Sequence, residues 1–140
     1  MPLLTGLGGA VFGVWSAHAQ GKFEFSLNTD DPTLIPIRYV DPVSGEPTER
    51  YPSNPNGSPG GCAAVCSPDG RHLAIMPHPE RAFLSYQQPW APATDGGVWQ
   101  PNAIEKNDGE ETGVRGAAWM SLFHNAFDFA ERGLHSKKCE

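Results

Sequence analysis

Apolar and polar residues alternate in the first half of this chain, and near its end the apolar ones recur at three- and four-residue steps. Val11-Phe12-Gly13-Val14-Trp15 is rich in β-formers and Lys22-Phe23-Glu24-Phe25 alternates, so residues 11–25 predict one or two strands, with residues 18–21 at a strand end. Ile35-Pro36-Ile37-Arg38-Tyr39-Val40 predicts another short strand, with Pro36 near its start, where an edge position tolerates a missing N–H. The clearest local pattern is a hairpin: residues 62–66 and 71–76 flank Ser67-Pro68-Asp69-Gly70, a turn in which proline presets φ and glycine accepts positive φ. Trp119, Leu122, Phe123, Ala126, Phe127 and Ala130 predict one amphipathic helix, with Ser121, Asn125, Asp128 and Glu131 on its polar side and Gly133 as its stop. Residues 41–59 are crowded with Pro, Gly, Ser and Asn and read as loop. A polar, glycine-dotted run at about 91–116 lacks any period and reads as a mobile insertion.

Composition narrows the function classes. The chain has 140 residues, the length of one small domain at most, and 16 glycines and 14 prolines make it loop-rich with a modest core. Its net charge is −6 and no Lys/Arg cluster is present, which excludes the concentrated positive field that a nucleic acid or an anionic membrane requires. No apolar run approaches the roughly 20 residues of a membrane span, so a soluble protein is expected. Three cysteines, Cys62, Cys66 and Cys139, are too few and odd in number for a secreted disulfide framework, and a reducing, cytoplasmic location is expected. The first twenty residues imitate a secretory signal ending in Ala17-His18-Ala19. They carry no Lys or Arg before Lys22, where a signal needs a basic start, and the same residues also read as a buried strand.

The densest chemical constellation is Pro77-His78-Pro79-Glu80-Arg81, directly after an apolar strand. Flanking prolines argue against helix and push the residue before each of them toward extended backbone. In an extended segment residues i and i+2 project to one side, which makes His78 and Glu80 neighbours. A carboxylate beside an imidazole fixes its tautomer and stabilises its protonated form, as a general base serving a nucleophile requires. A rigid surface loop carrying a histidine is the competing reading. Cys62 in Gly60-Gly61-Cys62-Ala63-Ala64 approximates a nucleophile elbow, but an elbow needs a strand before it and a helix after it, and here a loop precedes and a strand follows. Cys62 and Cys66 therefore read as small buried hydrophobes. Together with His72 they lack the paired spacing of a zinc site. The run Asn54-Pro55-Asn56-Gly57-Ser58-Pro59-Gly60-Gly61 lets backbone N–H groups converge on a carboxylate or phosphate, or is an ordinary surface loop; it has neither the lysine nor the following helix of a Walker loop.

Three segments, in order, resemble the C-terminal part of the phosphoribosylformylglycinamidine synthase family, which ends in a glutamine amidotransferase domain. They are Gly13-Val14-Trp15-Ser16-Ala17-His18-Ala19-Gln20-Gly21, the stretch from Tyr51-Pro52-Ser53 through Gly61, and the stretch from Cys66 through Pro77-His78-Pro79-Glu80-Arg81. Gln88-Pro89-Trp90 and the closing helix resemble the family's ending too. The resemblance implies an α/β fold: the incomplete, C-terminal half of a doubly wound class I glutamine amidotransferase domain, with a β-hairpin and a C-terminal helix, over residues 1–140. It implies L-glutamine as substrate and His78 and Glu80 as the catalytic pair assisting a cysteine. It further implies substrate contacts at His18, Asn54, Asn56, Gly57 and Ser58. Ammonia would pass to a synthetase domain that uses ATP and Mg in purine biosynthesis; neither cofactor is expected in this chain.

Two departures accompany the resemblance. The family's nucleophilic cysteine lies upstream of the segment matching Met1, so this chain is expected to be inactive alone and to depend on a chain or domain that supplies the cysteine and the synthetase. The family's His-Gly-Glu-Gly is here His18-Ala19-Gln20-Gly21, an amide for a carboxylate and a methyl for a hydrogen. Three readings follow: a piece completed by a partner polypeptide, a catalytically silent structural subunit of a larger assembly, or an independent hydrolase using Cys62.

Overall fold

The computed structural model describes residues 1–17, 20–25, 32–84, 87–89 and 118–136. They fall into two compact units, one comprising Met1–Trp15 with Pro79–Glu140, the other Ser16–His78. The region at about 91–116, expected to be an insertion, lies outside the described residues, as does His18.

The Ser16–His78 unit is built on a three-stranded antiparallel sheet of β1 (Ile37–Arg38), β2 (Cys62–Cys66) and β3 (Leu73–Ile75), in that spatial order. The expected hairpin forms β2 and β3, with Ala64 opposite Ile75, Val65 opposite Ala74 and Cys66 opposite Leu73. Its turn is closed by Asp69, whose carboxylate accepts from the Ser67 hydroxyl at 2.5 Å and from the Arg71 N–H at 3.1 Å. These bonds hold the Asp69 carboxyl below the usual carboxylate range. Gly70 takes φ 67°, which a side chain would resist. The strand expected over residues 35–40 is shorter: β1 begins just after Pro36, and its pairing to β2 shifts register between Ile37 and Arg38.

Within the described parts of residues 11–25 no strand forms, contrary to expectation. The alternation itself survives, since the rings of Phe23 and Phe25 stack with centroids 6.1 Å apart and planes 5° apart. No partner ladder reaches them; the Phe23 N–H instead meets the Ser58 hydroxyl at 3.4 Å. Alternating residues specify an extended segment, whereas a strand also needs a neighbour.

The interior of this unit is small. Cys62, Ala63 and Ala64 are buried, and the largest fully buried side chains of the described residues are Asn54, Cys62 and Ser58. Gly61 sits against the backbone of two other segments: a Cβ there would lie 2.7 Å from the Tyr39 carbonyl oxygen and 3.2 Å from the backbone N and O of Thr48. The Tyr39 hydroxyl is buried with no hydrogen-bond partner among the described residues, and burial raises its pKa.

In the other unit, α1 (Met120–Ser136) packs on a 3-10 turn at Pro2–Leu4. Trp119, just ahead of the helix, meets Phe12 edge to face at 5.3 Å and donates from its indole nitrogen to the Gly13 carbonyl at 3.1 Å. Trp119 and Leu122 are buried as the periodicity predicts, but Phe123 and Phe127 are exposed. Asn125, expected on the polar side, explains the roll: its amide donates to the carbonyls of Leu3 at 3.0 Å and Thr5 at 2.9 Å, which turns that face inward. Gly133 does not stop the helix, which continues to Ser136. A glycine inside a helix costs about 1 kcal/mol, which the rest of α1 offsets.

Two substitutions test this packing by denaturant unfolding. Gly61→Ala combines a φ of 71° with overlap onto backbone and is expected to destabilise by at least about 2 kcal/mol. Tyr39→Phe removes an unsatisfied hydroxyl and is expected to leave stability unchanged or raise it by up to about 1 kcal/mol; a loss above that would mean that the hydroxyl has a partner.

Candidate functional site

Residues 54–61 form a loop whose shape is set by one amide. Asn54 is 1% exposed; its Nδ2 donates to the Thr48 carbonyl at 2.9 Å and the Ser58 carbonyl at 3.0 Å, while its Oδ1 accepts from the Ser58 N–H at 3.1 Å. Ser58 is fully buried and its hydroxyl accepts from Phe23 N–H. Both side chains are thereby engaged inside the loop. Asn56 and Gly57, between them, are partly exposed, and Gly57 has φ 64°. The loop ends in a 3-10 turn at Pro59–Gly61 that leads directly into β2.

The three separated motifs meet at Gly21. A methyl group placed on Gly21 would overlap Met76 Cε, lie 3.5 Å from Met76 Sδ and lie 3.8 Å from Asn56 Nδ2. The end of the first motif, the middle of the second and the residue before Pro77-His78 in the third are therefore adjacent. The flexible end of Met76 could move aside, but Gly21 takes φ 155°, a backbone conformation that residues with a side chain rarely adopt. Met76 is fixed in turn by its N–H donating to the Ala63 carbonyl at 3.0 Å, which extends the β2–β3 ladder by one bond. His78 follows buried Pro77 and is half-buried.

Glu80 is exposed and sits in a 3-10 turn, Pro79–Ala82, in which Pro79 and Ala82 are buried. The expectation that flanking prolines keep this segment extended does not hold past Pro79. Proline at the start of a helical turn loses nothing, because its missing N–H would have no partner there and its φ already suits the turn. The alternation that placed His78 and Glu80 on one side therefore does not apply, and their pairing rests on the family resemblance.

Cys62 is the first residue of β2, fully buried, and its thiol lies 3.5 Å from the Ala64 carbonyl. Burial pushes the thiol pKa up, opposed in part by Arg38. A thiol kept protonated and followed by a strand lacks both the charge state and the turn of an activated nucleophile. Cys66 is only partly buried, with its thiol 3.7 Å from the Thr33 carbonyl. Among the described residues no three His, Cys, Asp or Glu side chains gather to hold a metal ion, and no helix is long and apolar enough to cross a membrane.

Sequence reading missed Thr48, Arg38 and Glu49, which hold the loop from outside. The Arg38 guanidinium donates to the Gly60 carbonyl at 2.6 Å and the Glu49 carboxylate accepts from the Gly60 N–H at 2.7 Å. Such side-chain to backbone contacts, 22 and 11 residues apart, leave no periodic trace in a sequence.

The chain is similar to known proteins. The chain is 52% identical over 136 residues to human phosphoribosylformylglycinamidine synthase, covering 94% of this chain and 9% of the relative. It is 45% identical over 138 residues to the Dictyostelium discoideum protein of that name, covering 92% and 9%. To the Arabidopsis thaliana "probable phosphoribosylformylglycinamidine synthase, chloroplastic/mitochondrial" it is 44% identical over 137 residues, covering 92% and 8%. The chain thus spans about a tenth of the length of these relatives. Residues 1–130 match the CobB/CobQ-like glutamine amidotransferase domain, and with the loop, Gly21 and His78 assembled in one unit, the chain belongs to that family.

Proposed function

We propose that this chain is the C-terminal part of the glutamine amidotransferase domain of a phosphoribosylformylglycinamidine synthase. The meeting of three motifs at Gly21 carries this reading, because it sets Asn56 beside the residue that leads to Pro77-His78. Asn54 and Ser58 act by holding the loop's shape, while Asn56 and Gly57 present its partly exposed edge to the substrate. His18 joins them as a substrate contact. The described strands are all antiparallel. In this reading the parallel strands of a doubly wound domain, and the cysteine, are supplied from outside these residues.

In this scheme the cysteine thiol gives its proton to His78 and its sulfur attacks the side-chain amide carbon of glutamine. The imidazolium returns the proton to the departing nitrogen, releasing ammonia and leaving a thioester that water hydrolyses to glutamate. Glu80 positions the imidazole and stabilises its protonated form. The ammonia is consumed in a synthetase part that holds ATP and Mg, outside this chain, to make formylglycinamidine ribonucleotide. The cytoplasm is the proposed location, although one relative's name places it in organelles.

Labelling with a diazoketone analogue of glutamine, read by peptide mass spectrometry, tests the assignment. The chain alone is expected to hydrolyse no glutamine and to take no label at Cys62. A native complex or full-length protein carrying it is expected to be labelled at a cysteine outside these 140 residues. Label on Cys62, together with glutaminase activity lost in Cys62→Ala, would establish the independent hydrolase instead. A stable complex that takes no label anywhere would favour the structural subunit.

A further inference from the structure

The loop at residues 54–61 is held from within by Asn54 and Ser58, and from outside by two charged side chains that the chemistry above does not use. Gly57, Gly60 and Gly61 have φ of 64°, 59° and 71°, three left-handed glycines within five residues. So permissive a backbone samples many conformations unless something fixes it. Gly60 interrupts the 3-10 turn, and both of its backbone polar groups are taken by side chains, the carbonyl by Arg38 and the N–H by Glu49. Hydrogen bonds to ionised groups are stronger than neutral ones. The same two short stretches also serve the inner side of the loop. Tyr39, next to Arg38, donates its N–H to the Gly61 carbonyl at 2.6 Å, and Thr48, next to Glu49, accepts the Asn54 amide.

We infer that Arg38 and Glu49 are positioning residues for glutamine: by holding the carbonyl and the N–H of Gly60, in the two peptide groups that flank its Cα, they set where Asn56 and Gly57 stand when the substrate amino acid binds. The inference rests on the functional reading above, because it takes the loop to face glutamine. Neither side chain touches the reacting atoms. Their effect falls on glutamine and spares the step that consumes ammonia, so free ammonia supplied in place of glutamine bypasses them.

The test uses full-length human phosphoribosylformylglycinamidine synthase carrying this chain in place of its matched segment, assayed with glutamine and with ammonium as nitrogen source. Glu49→Ala and Arg38→Ala are each expected to raise the KM for glutamine about tenfold, with ammonium-dependent turnover within about twofold of the parent. Glu49→Gln keeps an oxygen that accepts from the Gly60 N–H, and is expected to restore KM to within about threefold. An unchanged KM, or a parallel fall with both nitrogen sources, would overturn the positioning role. If the unsubstituted chimera uses ammonium and not glutamine, the functional reading itself fails, and the role of the clamp fails with it. A second readout needs no chimera: in this chain, Glu49→Ala is expected to speed deuterium exchange at residues 57–61 while β2 and β3 keep their protection. A uniform loss of protection would mark Glu49 as a general stabiliser and overturn the inference.

Discussion

The buried amide of Asn54 is the constraint from which the Ser16–His78 unit takes its shape. With Cys62, Ala63, Ala64 and Pro77 as the buried apolar residues among those described, this unit has little hydrophobic mass to define a loop by packing. It is defined by hydrogen bonds instead: one side chain ties Thr48 to Ser58 through three bonds, each contributing about 1 kcal/mol net. Any one of these groups left unpaired in the interior would cost more than its bond contributes, so the arrangement is close to all-or-none. Gly61 then lies against the backbone of Tyr39 and Thr48, and β2 starts directly after it. The register of the hairpin, the placement of Met76 and the contact with Gly21 all follow from that starting point.

This order of dependence explains how a loop rich in glycine and proline can hold the shape that the proposed site requires. A substrate-facing loop needs accessible backbone and small residues, which are the features that make a loop floppy. Here the flexibility is removed by polar side chains reaching in from residues 38–49 and by the internal amide, leaving Asn56 and Gly57 at the partly exposed edge. The other unit uses the same device on a helix. Asn125 and Trp119 bind carbonyls of the N-terminal segment and thereby decide which face of α1 packs, against the reading of its apolar stripe.

What the sequence made legible follows from how local each signal is. The Pro-Asp-Gly hairpin and the helix near the C-terminus were readable because turn chemistry and a 3.6-residue period are carried by neighbours in the chain. The strands at residues 11–25 were misread because Phe23 and Phe25 alternate as a strand does, while strand formation depends on a partner that alternation cannot reveal. Pro79 was misread because proline bars a helix interior and yet favours its first turn, and the sequence does not say which applies. The resemblance assigns substrate contacts to Asn54 and Ser58, and in the structure both side chains are buried and hydrogen-bonded to protein groups. Arg38 and Glu49 were invisible, since their partner is the peptide of a glycine far along the chain. The family resemblance assigns a catalytic pair to His78 and Glu80, where spacing alone favours a rigid surface loop.

The central proposal is that His78 serves glutamine cleavage within the larger enzyme to which this chain is proposed to belong. It is tested most directly by His78→Asn in the full-length chimera, comparing turnover on glutamine with turnover on ammonium. A histidine acting as general acid and base contributes about 10² to 10⁴ in rate, so glutamine-dependent turnover should fall at least about a hundredfold while ammonium-dependent turnover is unchanged. Glutamine-dependent turnover that survives the substitution would contradict the account.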